Sequence, residues 1–530
     1  MLTLTTDNLE ACNKQQRDWI YNGLDCCITL RLYNEFSTNL MQEYARRVYD
    51  DELRSNDIAL HMTMTGMAIN TAARDKLFNE HSVIYNPETK ERLEMPGMVA
   101  RIAALTTTFK TVTAPWLSNV NWRSPLQLKE LFYTHMFIEP IYSFKNGERK
   151  VSTDREALLK IRDHDRATLI CNILLRLRDL DKMLSTLSTE LDIDQRLRSS
   201  YKVAATETGR WASAENAYGT GTNGQNITKE IRKVFITDPG YKFVYIDLEQ
   251  AESYGVACFS NDPAYLQACL SGDLHTTVCK LIWPNVPWTG NAKEDRALAD
   301  APYYRHFSRR DLAKRAGHGS NYKLGPHSLG RNLKIHLSEA TKFQLLYFGG
   351  EVPLRSSIRW EWVYKNGLIR MPELDGLFTI DDDPVERHLI FSGAFPGIRA
   401  WHDSIALSLQ TEGSLETPFQ RRRRFWGDTR ADSTLREAVA FMPQSTIGDI
   451  LNEGLRCVYK KFGITPHLKY CAQIHDAALF QVKENMLDTY IPQLVECMRV
   501  PVTINGHHIT IPVKAEIGDN WKDLTEWTTP

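Results

Sequence analysis

Asp247 in KFVYIDL and Asp476 in QIHDAALF lie far apart in the chain, and together they have the chemistry phosphoryl transfer needs. That reaction is served by two hard cations about 3.5 to 4 Å apart, which carboxylates on neighbouring strands can hold. Mg²⁺ takes oxygen ligands and needs only one or two protein carboxylates beside substrate phosphates, so two aspartates suffice. Each residue alone also has a plainer reading. Asp247, just before LEQAESYG, could cap a helix, and His475-Asp476 could be an ordinary turn.

Two further groups of residues could act on phosphates and nucleic acid. In RRDLAKRAGHGSNYKLGP, Arg310, Lys314, His318 and Tyr322 recur every fourth position. On a helix they drift by only about 120° in total and share one face. Two cations there could bind a triphosphate, and a flat ring could stack on a base or sugar; the plainer reading is a solvated basic face. The segment TETGRWASAENAYGTGTNGQNITKEIRKVF offers Arg210, Asn223, Gln225, Asn226 and Arg232. Amides and arginines of this kind bond phosphates, sugars and minor-groove base edges, or simply make a polar surface loop.

These residues need particular elements to hold them. KFVYIDL reads as a buried strand ending at Asp247, and LKYCAQIHDAALFQV as two strands meeting at a tight turn around His475 and Asp476. Most of residues 1 to 200 reads as helical, REALLKIRDHDRATLICNILLRLRDLDKML being one such stretch. Aromatic-rich residues 350 to 390 fit neither helical nor alternating period and read as an insertion.

At 530 residues the chain is long enough for several subdomains. Its 64 basic and 65 acidic residues balance, so a nucleic-acid cleft would have to be locally basic. The ten cysteines have no metal-binding or redox spacing and are expected to be reduced thiols. No apolar run approaches the length of a membrane span and the first residues lack a signal-peptide layout, which predicts no membrane partner and a cytoplasmic location.

Taken in order, these segments resemble the polymerase region of family A DNA polymerases, the bacterial DNA polymerase I class, over most of residues 40 to 526. YIDLEQAESYGVA resembles that family's motif A, RRDLAKRAGHGSNYK its motif B, and QIHDAALF its motif C. SGDLHT, FPGIRAWHDSIA, LETPFQRRRRF, REAVAFMPQSTIGDIL and KAEIGDNW agree as well. The resemblance implies an α+β right-hand fold with an antiparallel-sheet palm, a helical thumb and helical fingers. It divides the chain into a 3′–5′ exonuclease-like remnant (1–38), the start of the palm (39–85), thumb (86–205), palm with motif A (206–275), fingers with motif B and the insertion (276–415), and palm with motif C (416–530).

The resemblance also assigns roles. Asp247 and Asp476 would be catalytic and hold two Mg²⁺, with Mn²⁺ as a substitute. Glu252 would exclude ribonucleotides by crowding the sugar 2′ position. Gln250, His275, Arg310, Lys314, His318 and Tyr322 would serve the incoming deoxynucleoside triphosphate. Arg210, Asn223, Gln225, Asn226, Arg232, Gln444 and His475 would contact the primer-template DNA. The implied activity is template-directed DNA synthesis, in phage replication, by a monomer or a heterodimer.

Four departures from the family pattern stand out. His318 replaces the usual Phe or Tyr of motif B, Lys323 the usual Gly after Tyr322, and Ala477 the usual Glu after the motif C aspartate. At the amino terminus, WIYNGLDCCITLRLYNEF resembles only the last exonuclease motif, with Tyr21 and Asp25 at its spacing, the plainer reading being a short amphipathic helix; either a separate exonuclease polypeptide docks there or the nuclease has been lost. Two alternatives remain: a catalytically impaired polymerase-like DNA-binding subunit, which Ala477 and Lys323 suggest, and a single-subunit RNA polymerase relative, which Glu252 argues against.

Overall fold

The computed structural model describes residues 12–40, 43–85, 92–145, 148–304, 307–353, 378–380 and 388–528. Its centre is a wholly antiparallel five-stranded sheet of β1 (Tyr241–Leu248), β2 (Leu468–Ile474), β3 (Ala477–Lys483), β4 (Val513–Gly518) and β5 (Thr525–Glu526), in the order β2-β3-β1-β4-β5. β3 is buried at all but its last residue. A strand covered on both faces must be apolar nearly throughout, which is why AALFQV carries no polar alternation. β1 runs one residue past Asp247, and its register sets Asp247 opposite Ala477 on one side and Lys514 on the other.

Helices surround this sheet. α1 (Lys14–Leu40) and α2 (Glu43–Thr65) come first, and α2 packs on β2. α3 (Met98–Thr113) packs along α5 (Asp165–Leu187), whose inward stripe includes Leu174, Leu177 and Leu180. The apolar stretch from Arg155 is not one helix. α4 (Arg155–Ile161), capped by Asp154, stops before Arg162-Asp163-His164, and α5 starts anew. Hairpins at 81–96 and 142–151 also interrupt the expected helical texture.

After β1 come α6 (Ala251–Ser260) and α7 (Leu274–Ile282), then α8 (Arg309–Asn321), α9 (Pro326–Leu333) and α10 (Leu337–Phe348). Ser308 caps α8 by accepting from the Asp311 amide at 3.0 Å, a first-turn arrangement that stabilises helix starts. The expected insertion lies largely outside the described residues; its described edges pair as Gly350–Pro353, Phe378–Ile380 and His388–Phe391. The 31-residue α11 (Asp432–Phe462) crosses α6. A Cβ on Gly255 would come 3.1 Å from the Pro443 Cβ, so the two helices are in close contact there. α12 (Leu487–Met498) packs on α11 and β3. Among the described residues no helix is long and apolar enough to cross a membrane.

Candidate active site

The sheet brings the two aspartates together. Asp476 sits in the turn between β2 and β3, beside His475, whose φ of 51° is left-handed. The Leu248 amide donates to the Asp476 carbonyl at 3.1 Å, which fixes that turn against the end of β1 and hence against Asp247. Burial lifts the Asp247 carboxyl to about 6, with Asp476, Glu516 and Glu249 adding and Lys514 opposing. Burial lifts Asp476 to about 6 as well, against the pull of Arg210 and with Glu252 adding. Like charges crowded in a partly desolvated place penalise ionisation in this way.

Arg210 ties motif C to α6. Its Nη2 donates to Asp476 Oδ1 at 3.0 Å and to Glu252 Oε1 at 2.9 Å. Burial works against the guanidinium, but Asp476 and Glu252 hold its pKa above the ordinary value. The other Glu252 oxygen accepts from Tyr322 at 2.7 Å, so one carboxylate links α6, the Arg210 loop and the end of α8. Tyr322 stands one residue past α8 rather than within it. His318, exposed one turn earlier, packs edge-on against Tyr322 with ring centroids 5.0 Å apart, its Nε2 3.8 Å from Glu252. Gln250 is exposed at the cap of α6 with φ 55°.

A second group lies between α7 and α8. Arg310 Nη2 donates to Asp273 Oδ1 at 3.1 Å, and Asp273 also caps α7 through the Thr276 amide. Burial, then the nearby Arg310 and Lys314, push the His275 imidazole down to about 4. His275, Arg310 and Lys314 therefore form one cluster, with Lys314 exposed. Among the described residues, Arg310 Nε is buried without a hydrogen-bond partner, an arrangement that leaves a donor for a ligand.

The remaining expected DNA contacts divide. Gln225 Nε2 donates to Gln473 on β2 at 2.7 Å and to the Trp211 carbonyl, which joins its loop to motif C. Asn223 accepts from the Gln225 amide and from Ser213, closing a turn. Asn226 is exposed. Arg232 turns inward instead, 4.4 Å over the Trp521 ring, with Nε on the Ile227 carbonyl. Gln444 is half-buried on α11, one turn before Gly448, where a Cβ would come 3.1 Å from Arg210 Cγ. Burial, with Arg210 and Arg232, lowers the His475 pKa. Tyr21 and Asp25 share an exposed face of α1 and make no part of these clusters.

Sequence reasoning missed Asp273, Gln473 and Glu516. Asp273 was open to discovery, because Asp three residues before Thr276 is a capping pattern. Glu516 was not, since only the β1–β4 register places it diagonally across from Asp247. The aspartate pair fits a hard divalent cation: two oxygen donors on adjoining strand ends, in a carboxylate surplus. Among the described residues no third His, Cys, Asp or Glu joins them in a metal-binding group.

The chain is 26% identical over 420 residues to DNA polymerase I of Helicobacter pylori strain J99, covering 76% of this chain and 38% of that protein. To the thermostable DNA polymerase I of Thermus aquaticus it is 24% identical over 454 residues, covering 82% of this chain and 45% of the relative. The chain thus spans less than half the length of either. Its fold matches the POL domain of Pol1 from M. smegmatis, solved in complex with DNA primer-template and dNTP, with a TM-score of 0.61 and 19% identity over 89% of this chain and 70% of that one. The family model for DNA polymerase family A matches residues 97–351 and 387–523, breaking where the insertion was expected. On that match, which takes in most of the chain, this α+β protein belongs to DNA polymerase family A.

Proposed function

We propose that the chain is a DNA-directed DNA polymerase that extends a primer 3′ end with deoxynucleotides copied from a template. The observation that carries this reading is the meeting of Asp247 and Asp476 at adjoining strand ends beside the Arg210–Glu252–Tyr322 chain of bonds. The primer 3′ oxygen bonds to the α-phosphorus, the bond to the bridging oxygen breaks, pyrophosphate leaves, and the hydroxyl proton passes to solvent. Asp247 and Asp476 would hold two Mg²⁺, or Mn²⁺ in their place, which when bound supply positive charge to the reacting phosphate and hydroxyl.

Other residues bind and orient. Arg310, Lys314 and His275 receive the triphosphate, and the unpartnered Arg310 Nε supports that role. Glu252, fixed by Arg210 and Tyr322, presents a rigid wall to the sugar 2′ position. Gln250 and His318 line the same nucleotide place. Arg210, Gln225, Asn226, Gln444 and His475 face the primer-template duplex. Asn223 shapes that loop, and Arg232 supports it through Trp521.

In this reading the sheet with α6 and α11 is the palm, α3 to α5 the thumb, and α7 to α10 the fingers. Replicative use in a phage, in the host cytoplasm, goes with it, as does a separate exonuclease polypeptide seated on α1. Tyr21 and Asp25 alone cannot make a two-metal nuclease. A second reading, a DNA-binding subunit without activity, draws on Ala477, which is 1% exposed opposite Asp247 and gives motif C a single carboxylate.

Primer extension by purified chain decides between them. Mg²⁺-dependent extension with dNTPs, absent in Asp476→Ala, is the expected result. No extension by the wild type would favour the binding subunit, and efficient use of ribonucleotides would favour an RNA polymerase.

A further inference from the structure

Two thiols outside the candidate active site meet between α11 and α12. The helices run antiparallel: Gly454 of α11 lies against Met498 at the end of α12, and Phe462 at the end of α11 stacks on Tyr490 near the start of α12, with ring centroids 4.7 Å apart. A Cβ on Gly454 would come 3.1 Å from the Met498 Cα and 3.4 Å from the Cys497 carbonyl oxygen, so the two backbones touch there. Cys457 stands three residues after Gly454, on the same face of α11. It lies between the two contacts, as Cys497 does on the facing helix. The side chains accordingly meet, Cys457 being the hydrogen-bond partner of the Cys497 thiol. A disulfide needs facing Cβ atoms and close backbones, and this crossing supplies both.

The two thiols differ in access. Cys457 is exposed and Cys497 buried. Burial, then Cys457, pushes the Cys497 thiol up to about 12, with Lys461 opposing and Glu496 adding. Thiol exchange needs a reachable thiolate, so Cys457 is the one a reagent meets and Cys497 the one that follows. The exposed Cys26 and Cys27 make no such pair, because neighbours on a helix point about 100° apart. We infer that Cys457 and Cys497 are a modification site, oxidised by a small-molecule disulfide such as glutathione disulfide to a reversible staple between α11 and α12. The Cys457 thiolate, its proton lost to solvent, attacks one sulfur of glutathione disulfide; that S–S bond breaks, a mixed disulfide forms and one glutathione leaves. The Cys497 thiol then gives up its proton and attacks the Cys457 sulfur, releasing the second glutathione. Two protein thiols are oxidised and one glutathione disulfide is reduced to two thiols. The staple ties α11, which lies against Arg210 at Gly448, to α12, which packs on β3. It thus fastens two elements that frame the candidate site without touching a residue placed in it.

Equilibrating the full chain in glutathione buffers of rising disulfide fraction tests this. Samples are quenched with acid, unfolded, alkylated and mapped by mass spectrometry. The expected result is the loss of two alkylatable thiols and a pair of peptides joined through Cys457 and Cys497, reversed by dithiothreitol. Closing a loop of about forty residues should also raise the thermal midpoint by about 3 °C in a chain of this size. Cys457→Ser, at an exposed position, should keep the midpoint of the reduced chain and show no rise with oxidant. Four outcomes would overturn the proposal: glutathione held on Cys457 while Cys497 stays alkylatable, a bond from Cys457 to another chain, a joined pair that leaves the midpoint where it was, or no oxidation at all. Neither thiol enters the polymerase reading, so a failure of primer extension bears on that reading alone.

Discussion

Two clusters of buried charge meet at Gly209-Arg210. In one, Arg421 lies between Glu52 and Asp449, bonding Asp449 at 2.7 Å and also Glu52, with Arg456 adding positive charge nearby. Burial raises both carboxyls against the pull of Arg421, yet cations and anions there are near balance. In the other, Asp476 and Glu252 share Arg210 beside Asp247, while Lys514 is drawn to Glu516 and Glu526 at 3.2 Å each. Carboxylates outnumber cations there. A closed, paired cluster is what packing alone can sustain. An acidic surplus at strand ends costs folding energy and makes physical sense where a cationic ligand completes it.

The first way to break that contrast is Asp476→Asn. Primer extension should fall about a thousandfold, the equivalent of about 4 kcal/mol of transition-state stabilisation, while the thermal midpoint holds or rises because a crowded negative charge is gone. Retained activity would remove the distinction between the clusters. Arg421→Met should do the reverse to the fold: two buried carboxylates lose their partner, costing about 3 to 5 kcal/mol, read as a lower urea midpoint. A Cβ on Gly209 would collide with the Arg421 guanidinium, so the Arg210 loop rests on this cluster and should loosen with it. An unchanged midpoint would show that the closed cluster carries no structural load.

Within the open cluster, Glu252→Ala sharpens the roles. It removes the acceptor shared by Arg210 and Tyr322 and, on the proposed reading, opens space beside the sugar. Ribonucleotide use relative to deoxynucleotide should rise roughly 10- to 200-fold in kcat/KM, the range one small group in a pocket controls. Glu252→Gln, which keeps the bulk, should change it less. Equal selectivity in wild type and Glu252→Ala would mean that the residue serves only to anchor Arg210.

The two clusters also differ in how far they were legible. Strand, turn and strand around Asp476 could be read because β2 and β3 are contiguous in the chain and buried enough to leave an apolar run. The shared face of Arg310, Lys314, His318 and Tyr322 followed from helical period alone; the structure keeps the first three on α8 and sets Tyr322 one residue past its end. Arg421 opens a run of four arginines, and its partner Glu52 is 369 positions away. Nothing local marks such a residue as buried. The break between α4 and α5 escaped for a different reason: apolar spacing continues across Arg162-Asp163-His164 although the backbone does not. That break lines a cavity together with the turn between α9 and α10.

The smallest expected effect concerns Lys323, where the family pattern has Gly. The bend after Tyr322 is nevertheless made, because Lys323 takes a left-handed φ of 57°. For a residue with a Cβ that conformation costs about 1 to 2 kcal/mol, and Tyr322 immediately before it stays bonded to Glu252 at 2.7 Å. Lys323→Gly relieves the strain but gives the unfolded chain about 0.4 to 1 kcal/mol more conformational entropy. It also loses an ion pair with Asp432 at 3.7 Å, which at a partly exposed position is worth about 0.5 kcal/mol. The balance is a gain of a few tenths of a kcal/mol, a rise in thermal midpoint of about 1 °C or less for a chain of this size, with KM for deoxynucleotides unchanged. A clear loss of stability instead would mean that the Asp432 pair outweighs the strain and that α11 holds the end of α8 through charge.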